Sequence, residues 1–138
     1  MIEPTLIKKI ALKYDLQLIY LFGSKATGRD TNVSDIDIAV LLNNYEAYNL
    51  KNLILDLIFN FSKVFCSDKI DLVILNKASL AIQYNVISDG KILYELNPET
   101  RYNYEVNLIS LYLDFKRYED EYYEAMHKQI LEDIHPND

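Results

Sequence analysis

Apolar and polar positions alternate with two different periods along the chain, and each change of period marks a new element. Between Pro4 and about Tyr14, Leu6, Ile7, Ile10 and Ala11 fall on one side and lysines on the other, which predicts an amphipathic helix. Gln17 to Phe22 (QLIYLF) reads as a short, mostly apolar strand that stops at Gly23. Residues 24–34 are polar, punctuated by Gly28, Asp30, Asn32 and Ser34, and predict a short helical turn followed by a loop. Asp35 to Leu42 is a second strand. Ile36, Ile38 and Val40 form its natural core face, with Asp35, Asp37 and Ala39 on the other. Between Tyr45 and Val64, Leu50, Leu53, Ile54, Leu57, Ile58 and Phe61 recur at three and four, the signature of a core-facing helix. Lys69 to Leu75 (KIDLVIL) reads as a third strand with Asp71 near its start. Ala78 to Ser88 reads as a helix closed by Asp89-Gly90, with Gly90 suited to a left-handed C-terminal position. Lys91 to Glu95 is a brief strand. Asn97-Pro98-Glu99 then supplies an N-cap, a first-turn proline and a dipole-favourable acid for a long helix to about Leu131. The expected fold class is α+β, a small mixed sheet flanked by helices with a long C-terminal helix, organised as a domain over 1–96 and a helical extension over 97–138.

Composition narrows the functional classes. With 138 residues, half of them apolar, the chain can bury an ordinary core, so disorder is not its default state. The longest apolar runs are broken by Asn, Asp or Lys, which argues against a membrane span. MIEPTLIKKIALKYD lacks a signal-peptide core and cleavage site, so a cytoplasmic location is expected. The single Cys66 supports no internal disulfide and reads as a small buried hydrophobe. The net charge of −7 is uneven: residues 1–97 hold 10 basic and 11 acidic side chains, residues 98–138 hold 4 and 10. An acidic chain without a Lys/Arg stripe is poorly suited to gripping DNA or RNA, where phosphate neutralisation dominates affinity.

The candidate chemistry lies in LFGSKATGRDTNVSDIDIAVLL, from Leu21 to Leu42. Two carboxylates two residues apart on a strand share a face, with attachment points roughly 7 Å apart at about 3.3 Å per residue. Asp35 and Asp37, joined by Asp71 from a later strand, could hold one or two divalent ions, and hard oxygen ligands suit magnesium. Gly23 lets the backbone approach a ligand closely. A helix beginning at Ser24 would aim its N–H groups at an anion, with Lys25 and Arg29 offering charge-assisted contacts to phosphate. A Gly-Ser pair or an Asp-x-Asp alone is weak evidence. The ordered combination is hard to obtain from unrelated surface choices, because three acids on sheet strands repel one another unless a cation compensates.

In order and type, Gly23-Ser24, Asp35, Asp37 and Asp71 resemble the motif of the nucleotidyltransferase superfamily that includes DNA polymerase beta, and most of all its minimal stand-alone members. The resemblance covers residues 1 to about 96. It implies a polymerase beta-like sheet, two magnesium ions held by Asp35, Asp37 and Asp71, ATP as substrate, and a triphosphate contact from Ser24 beside Gly23, Lys25 and Arg29. Asp71 would also act as general base. Many relatives carry Arg where Lys25 stands; Lys keeps the charge without the planar fork. Small members of this family are commonly antitoxins that add AMP to a tyrosine of a HEPN ribonuclease toxin, an all-helical protein expected to carry basic surface. The implied function is therefore AMP transfer from ATP to a HEPN-type toxin, without a DNA, RNA or membrane partner. Two alternatives stay open: a small-molecule adenylyltransferase of the aminoglycoside type, and an antitoxin that neutralises by contact alone.

The tail holds six of the twelve tyrosines. Tyr102, Val106, Ile109, Leu113 and Lys116 track one face of the long helix, broadened by Leu108, Tyr112 and Phe115. That face is expected either to pack on its own sheet or on a second copy, while Tyr118 to Met126 could leave the domain to meet a partner, tyrosine being enriched at interfaces. His127 and His135 fit no ligand or catalytic pattern.

Overall fold

The computed structural model describes residues 3–23, 26, 28 and 35–135. Helix α1 (Pro4–Lys13) leads into strand β1 (Leu16–Phe22), and β2 (Ile36–Leu42) follows. A short 3-10 turn (Tyr45–Ala47) precedes α2 (Leu50–Phe65), then come β3 (Ile70–Ile74), α3 (Leu80–Asp89), β4 (Lys91–Glu95) and α4 (Pro98–Ile134). The second helix starts later than its apolar spacing predicts. Tyr48 is extended, and the Asn49 side chain accepts from the Asn52 N–H, so the helix begins where an orphan donor finds a cap. Ser79 and Asn97 cap α3 and α4 in the same way.

The four strands lie in the order β3-β2-β1-β4, with β2 and β3 parallel and the other two pairs antiparallel. This is the mixed sheet the sequence implies. Ile36, Ile38, Val40 and Leu42 of β2 join Ile19 and Leu21 of β1 on one face, under Ile7, Ile10 and Ala11 of α1 and Leu53, Leu57 and Phe61 of α2. The other face, with Leu18, Tyr20 and Ala39, is covered by Leu75, by Val86 of α3 and by Tyr104 of α4. Leu16 and Leu18 belong to opposite layers although two residues apart, because the β1–β2 register shifts between them, as at a bulge. Asn76 closes the end of β2 by accepting from the Leu42 N–H at 2.8 Å and donating to its carbonyl at 2.9 Å.

Two local expectations are corrected. Gly90 is extended (φ −80°, ψ 160°) rather than left-handed. Its requirement is space, since a Cβ there would meet the Val86 carbonyl and lie 3.2 Å from the Leu21 carbonyl. Cys66 is exposed, not buried. It occupies the left-handed position that ends α2 (φ 51°), where the chain leaves the core to enter β3.

Among the described residues the long helix meets the domain through its first four turns, along the Leu108 and Tyr112 edge of its predicted apolar face and not along the Tyr102–Leu113 line. Arg101 reaches Glu95 at 3.5 Å and Glu105 at 3.2 Å. The buried Tyr20 hydroxyl donates to Glu105 at 2.8 Å, and Tyr104 donates to Gln83 at 2.7 Å. Leu108 is buried, and Tyr112 stacks on Tyr84 with ring centroids 4.0 Å apart. Tyr102, Val106, Ile109 and Leu113 remain exposed on the opposite side. The docked side wins because its polar tips find partners on the sheet and on α3, while the greasier stripe has none there. Among the described residues, no helix is long and apolar enough to cross a membrane.

Candidate active site

The apolar alternation of β2 dictates where its acids go. With Ile36 and Ile38 committed to the layer under α1 and α2, Asp37 must emerge on the α3/α4 face, at the strand's N-terminal end. The parallel β3 repeats the pattern with Ile70 and Leu72 inward, and the register sets Asp71 directly beside Asp37. On the other flank Asp37 faces Phe22, the last residue of β1. The Ile36 N–H donates to the Lys69 carbonyl at 2.8 Å and locks this end of the pair.

The β2–β3 register makes Asp37 and Asp71 direct neighbours, close enough for their carboxyl groups to act on each other. Burial raises the Asp37 pKa above the ordinary carboxylate range; the charge of Asp71, its hydrogen bond and the charge of Asp35 act in the same direction. Asp35 lies one residue outside β2 and is exposed. Among the described residues no three acidic, histidine or cysteine side chains close around a common point. Asp37 and Asp71 form the close pair, and Asp35 acts on it through its charge.

Gly23 sits directly against Asp37. Its φ of 73° belongs to the left-handed region, and a Cβ would collide with the Asp37 carboxylate. Sequence reading assigns Gly23 to close approach by a phosphate; the structure adds that the residue must be Gly to make room for Asp37 itself. The Gly23 carbonyl accepts from the Ala26 N–H at 3.2 Å, a tight turn whose Ala26 is buried in the core. Ser24, Lys25 and Arg29 lie outside the described residues, as does most of the expected helical turn and loop over 24–34. The donor set, hard carboxylate oxygens crowded on one sheet edge, fits a divalent hard cation such as magnesium, since added positive charge would relieve the repulsion that raises Asp37.

Comparison with known proteins accords with this geometry. The family pattern "Polymerase beta, Nucleotidyltransferase" matches residues 5–99. The protein adenylyltransferase MntA of Aphanizomenon flos-aquae (strain 2012/KM1/D3) is 44% identical over 91 residues, 58% of this chain; the match spans only 57% of that protein's length. The protein adenylyltransferase MntA of Shewanella oneidensis is 34% identical over 126 residues, covering 88% of this chain and 78% of that protein. A crystal structure of a toxin–antitoxin with AMP-PNP contains a chain that is 30% identical with a TM-score of 0.63, covering 96% of this chain and 98% of that one. In a structure of tri-AMPylated Shewanella oneidensis HEPN toxin in complex with MNT antitoxin, the similar chain is 29% identical with a TM-score of 0.58, covering 95% and 94%. Motif, sheet order and paired carboxylates together lead to one assignment: the chain belongs to the polymerase beta nucleotidyltransferase family, in the branch of the MntA protein adenylyltransferases.

Proposed function

We propose that this protein is an antitoxin that transfers AMP from ATP to a tyrosine hydroxyl of a HEPN-type ribonuclease toxin and so neutralises it. The observation that carries the reading is the Asp37–Asp71 pair, with Gly23 against Asp37, in a chain similar over nearly its whole length to chains of toxin–antitoxin complexes. Residues 1–96 would form the transferase unit and 97–138 its helical extension, working in the cytoplasm. Asp35, Asp37 and Asp71 would hold magnesium, two ions by analogy with the family. Magnesium bound there supplies charge neutralisation and Lewis acidity toward the triphosphate.

The remaining steps belong to the chain's own side chains. Gly23 would bring backbone N–H groups close to the triphosphate, with Ser24, Lys25 and Arg29 as further donors. The tyrosine oxygen attacks the α-phosphorus of ATP, the bond from that phosphorus to the bridging oxygen breaks, and pyrophosphate leaves. The hydroxyl proton passes to the Asp71 carboxylate, positioned by β3 beside Asp37. Orientation and charge neutralisation provide the acceleration, and no covalent enzyme intermediate is required.

The test is mass spectrometry of a HEPN-type toxin after incubation with this chain, ATP and magnesium. One or more AMP additions on a tyrosine are expected. An unmodified partner whose toxicity is nonetheless relieved would replace transfer with neutralisation by contact. Efficient adenylylation of a kanamycin-like drug, with the partner untouched, would move the activity to small molecules.

A further inference from the structure

From Leu111 onward the side of α4 that packs on the domain continues as an apolar stripe that no described residue of its own fold covers. Leu111, Phe115, Tyr118, Tyr122 and Met126 extend the line of Tyr104 and Leu108 at intervals of three and four, so they share one side of the helix. All five are exposed, Tyr118 by 71% and Tyr122 by 58%. Phe115, Tyr118, Glu119, Tyr122 and Tyr123 line a shallow groove of about 250 Å³. Patches of this kind, apolar with polar tips, mark protein interfaces.

The charge around the stripe limits what could cover it. From Asp114 to Ile134 there are seven carboxylates against Lys116, Arg117 and Lys128. Two of those three cations are engaged within the helix: Lys116 with Glu119 and Asp120 at 3.5 and 3.8 Å, Arg117 with Asp114 at 3.0 Å. A second copy laid against this face would set acid on acid. A groove between helices, apolar within and rimmed by Lys and Arg, would match both the spacing and the charge.

We propose that Phe115 to Met126 of α4 is the element that docks the toxin, seated in an apolar, basic-rimmed groove of that helical partner and separate from the transfer site. The inference rests on the partner named above, not on the chemistry performed on it. Docking continuous with a helix already anchored at Tyr20, Gln83 and Tyr84 would hold the partner on a rigid arm, because the anchor is fixed by the fold.

The experiment uses this chain carrying Phe115→Ser and Tyr122→Ser, singly and together, titrated calorimetrically against a purified HEPN-type toxin that the wild type binds. Affinity should fall about tenfold for each substitution, as expected for exposed aromatic anchors. ATP affinity and Tm should stay at wild-type values, and the KM for the toxin should rise while kcat holds. Glu121→Lys should slow association and flatten its salt dependence. An unchanged toxin affinity in the double variant would overturn the proposal. So would a wild-type dimer that the variant converts to monomer with toxin binding intact, which would give the stripe to a second copy. If the wild type binds the toxin through this stripe yet never modifies it, the transfer reading fails and the docking surface stands.

Discussion

Asp37 is the residue on which stability and function pull apart. Its raised pKa means that the folded chain holds the Asp37 proton more tightly than the unfolded chain does. The sign follows directly: the penalty is absent below the ordinary carboxylate range and present in full once the pH exceeds the folded value. Without magnesium, Asp37→Asn should therefore raise Tm at pH 8 by about 2–4 °C, a shift that thermal denaturation in EDTA would reveal and that should shrink toward pH 4. The same variant should lose at least about a thousandfold in AMP transfer, as expected when charge stabilisation at a reacting phosphate is removed. Gly23→Ala would place a Cβ on the Asp37 carboxylate at a left-handed φ. It should cost about 1–3 kcal/mol in urea unfolding and reduce transfer, because relief of the clash displaces the carboxylate. The Asp-x-Asp spacing and its phase against Ile36 and Ile38 were legible in the chain. That Asp71 would stand directly beside Asp37 was not, since the pairing of β3 with β2 is not a local property.

Among the elements, α4 separates what periodicity can and cannot say. Its predicted apolar face runs along Tyr102, Val106, Ile109 and Leu113 and broadens through Leu108 and Tyr112, yet only that broad edge docks, joined by Arg101, Tyr104 and Glu105. Periodicity reports which side of a helix is apolar. It does not report which side finds partners for its hydroxyls and charges. Tyr20, distant in sequence, is what Glu105 serves, and no local pattern could pair them. Tyr20→Phe removes a donor while Glu105 keeps Arg101, so it should cost about 1 kcal/mol. Glu105→Ala strands a hydroxyl on a residue that is 1% exposed and should cost more, about 1–3 kcal/mol. Equal costs in chemical denaturation would show that the Tyr20 hydroxyl finds another partner when Glu105 is lost.

At the scale of the molecule, one sheet separates two layers with different duties. The α1/α2 side is a continuous apolar core from Ile7 to Phe61. The α3/α4 side is apolar in the middle, and Asp37 and Asp71 stand at the N-terminal end of β2 and β3. Ligands that bind this end should stabilise the whole domain, because β2 is central in the sheet. Magnesium with a non-hydrolysable ATP analogue, at a hundredfold excess over Kd, should add about 2.7 kcal/mol and raise Tm by several degrees. EDTA should reverse the shift, and Asp37→Asn should abolish it. A shift that survives Asp37→Asn would move the nucleotide site away from this edge.

The sequence by itself determined the order of elements, the mixed character of the fold and the face of β2 from which Asp37 projects, because period and turn chemistry are local properties. It also carried the family motif, since Gly23, Asp35, Asp37 and Asp71 stand in recognisable order. Only the tertiary structure decided that β3 lies beside β2 in parallel, which brings Asp71 to Asp37 across 34 residues of chain. It alone decided that Gly90 serves close packing, that Cys66 faces solvent and that α4 docks by its more polar side. Each of those outcomes depends on which surfaces meet, and the free energy of meeting depends on partners that are remote along the chain.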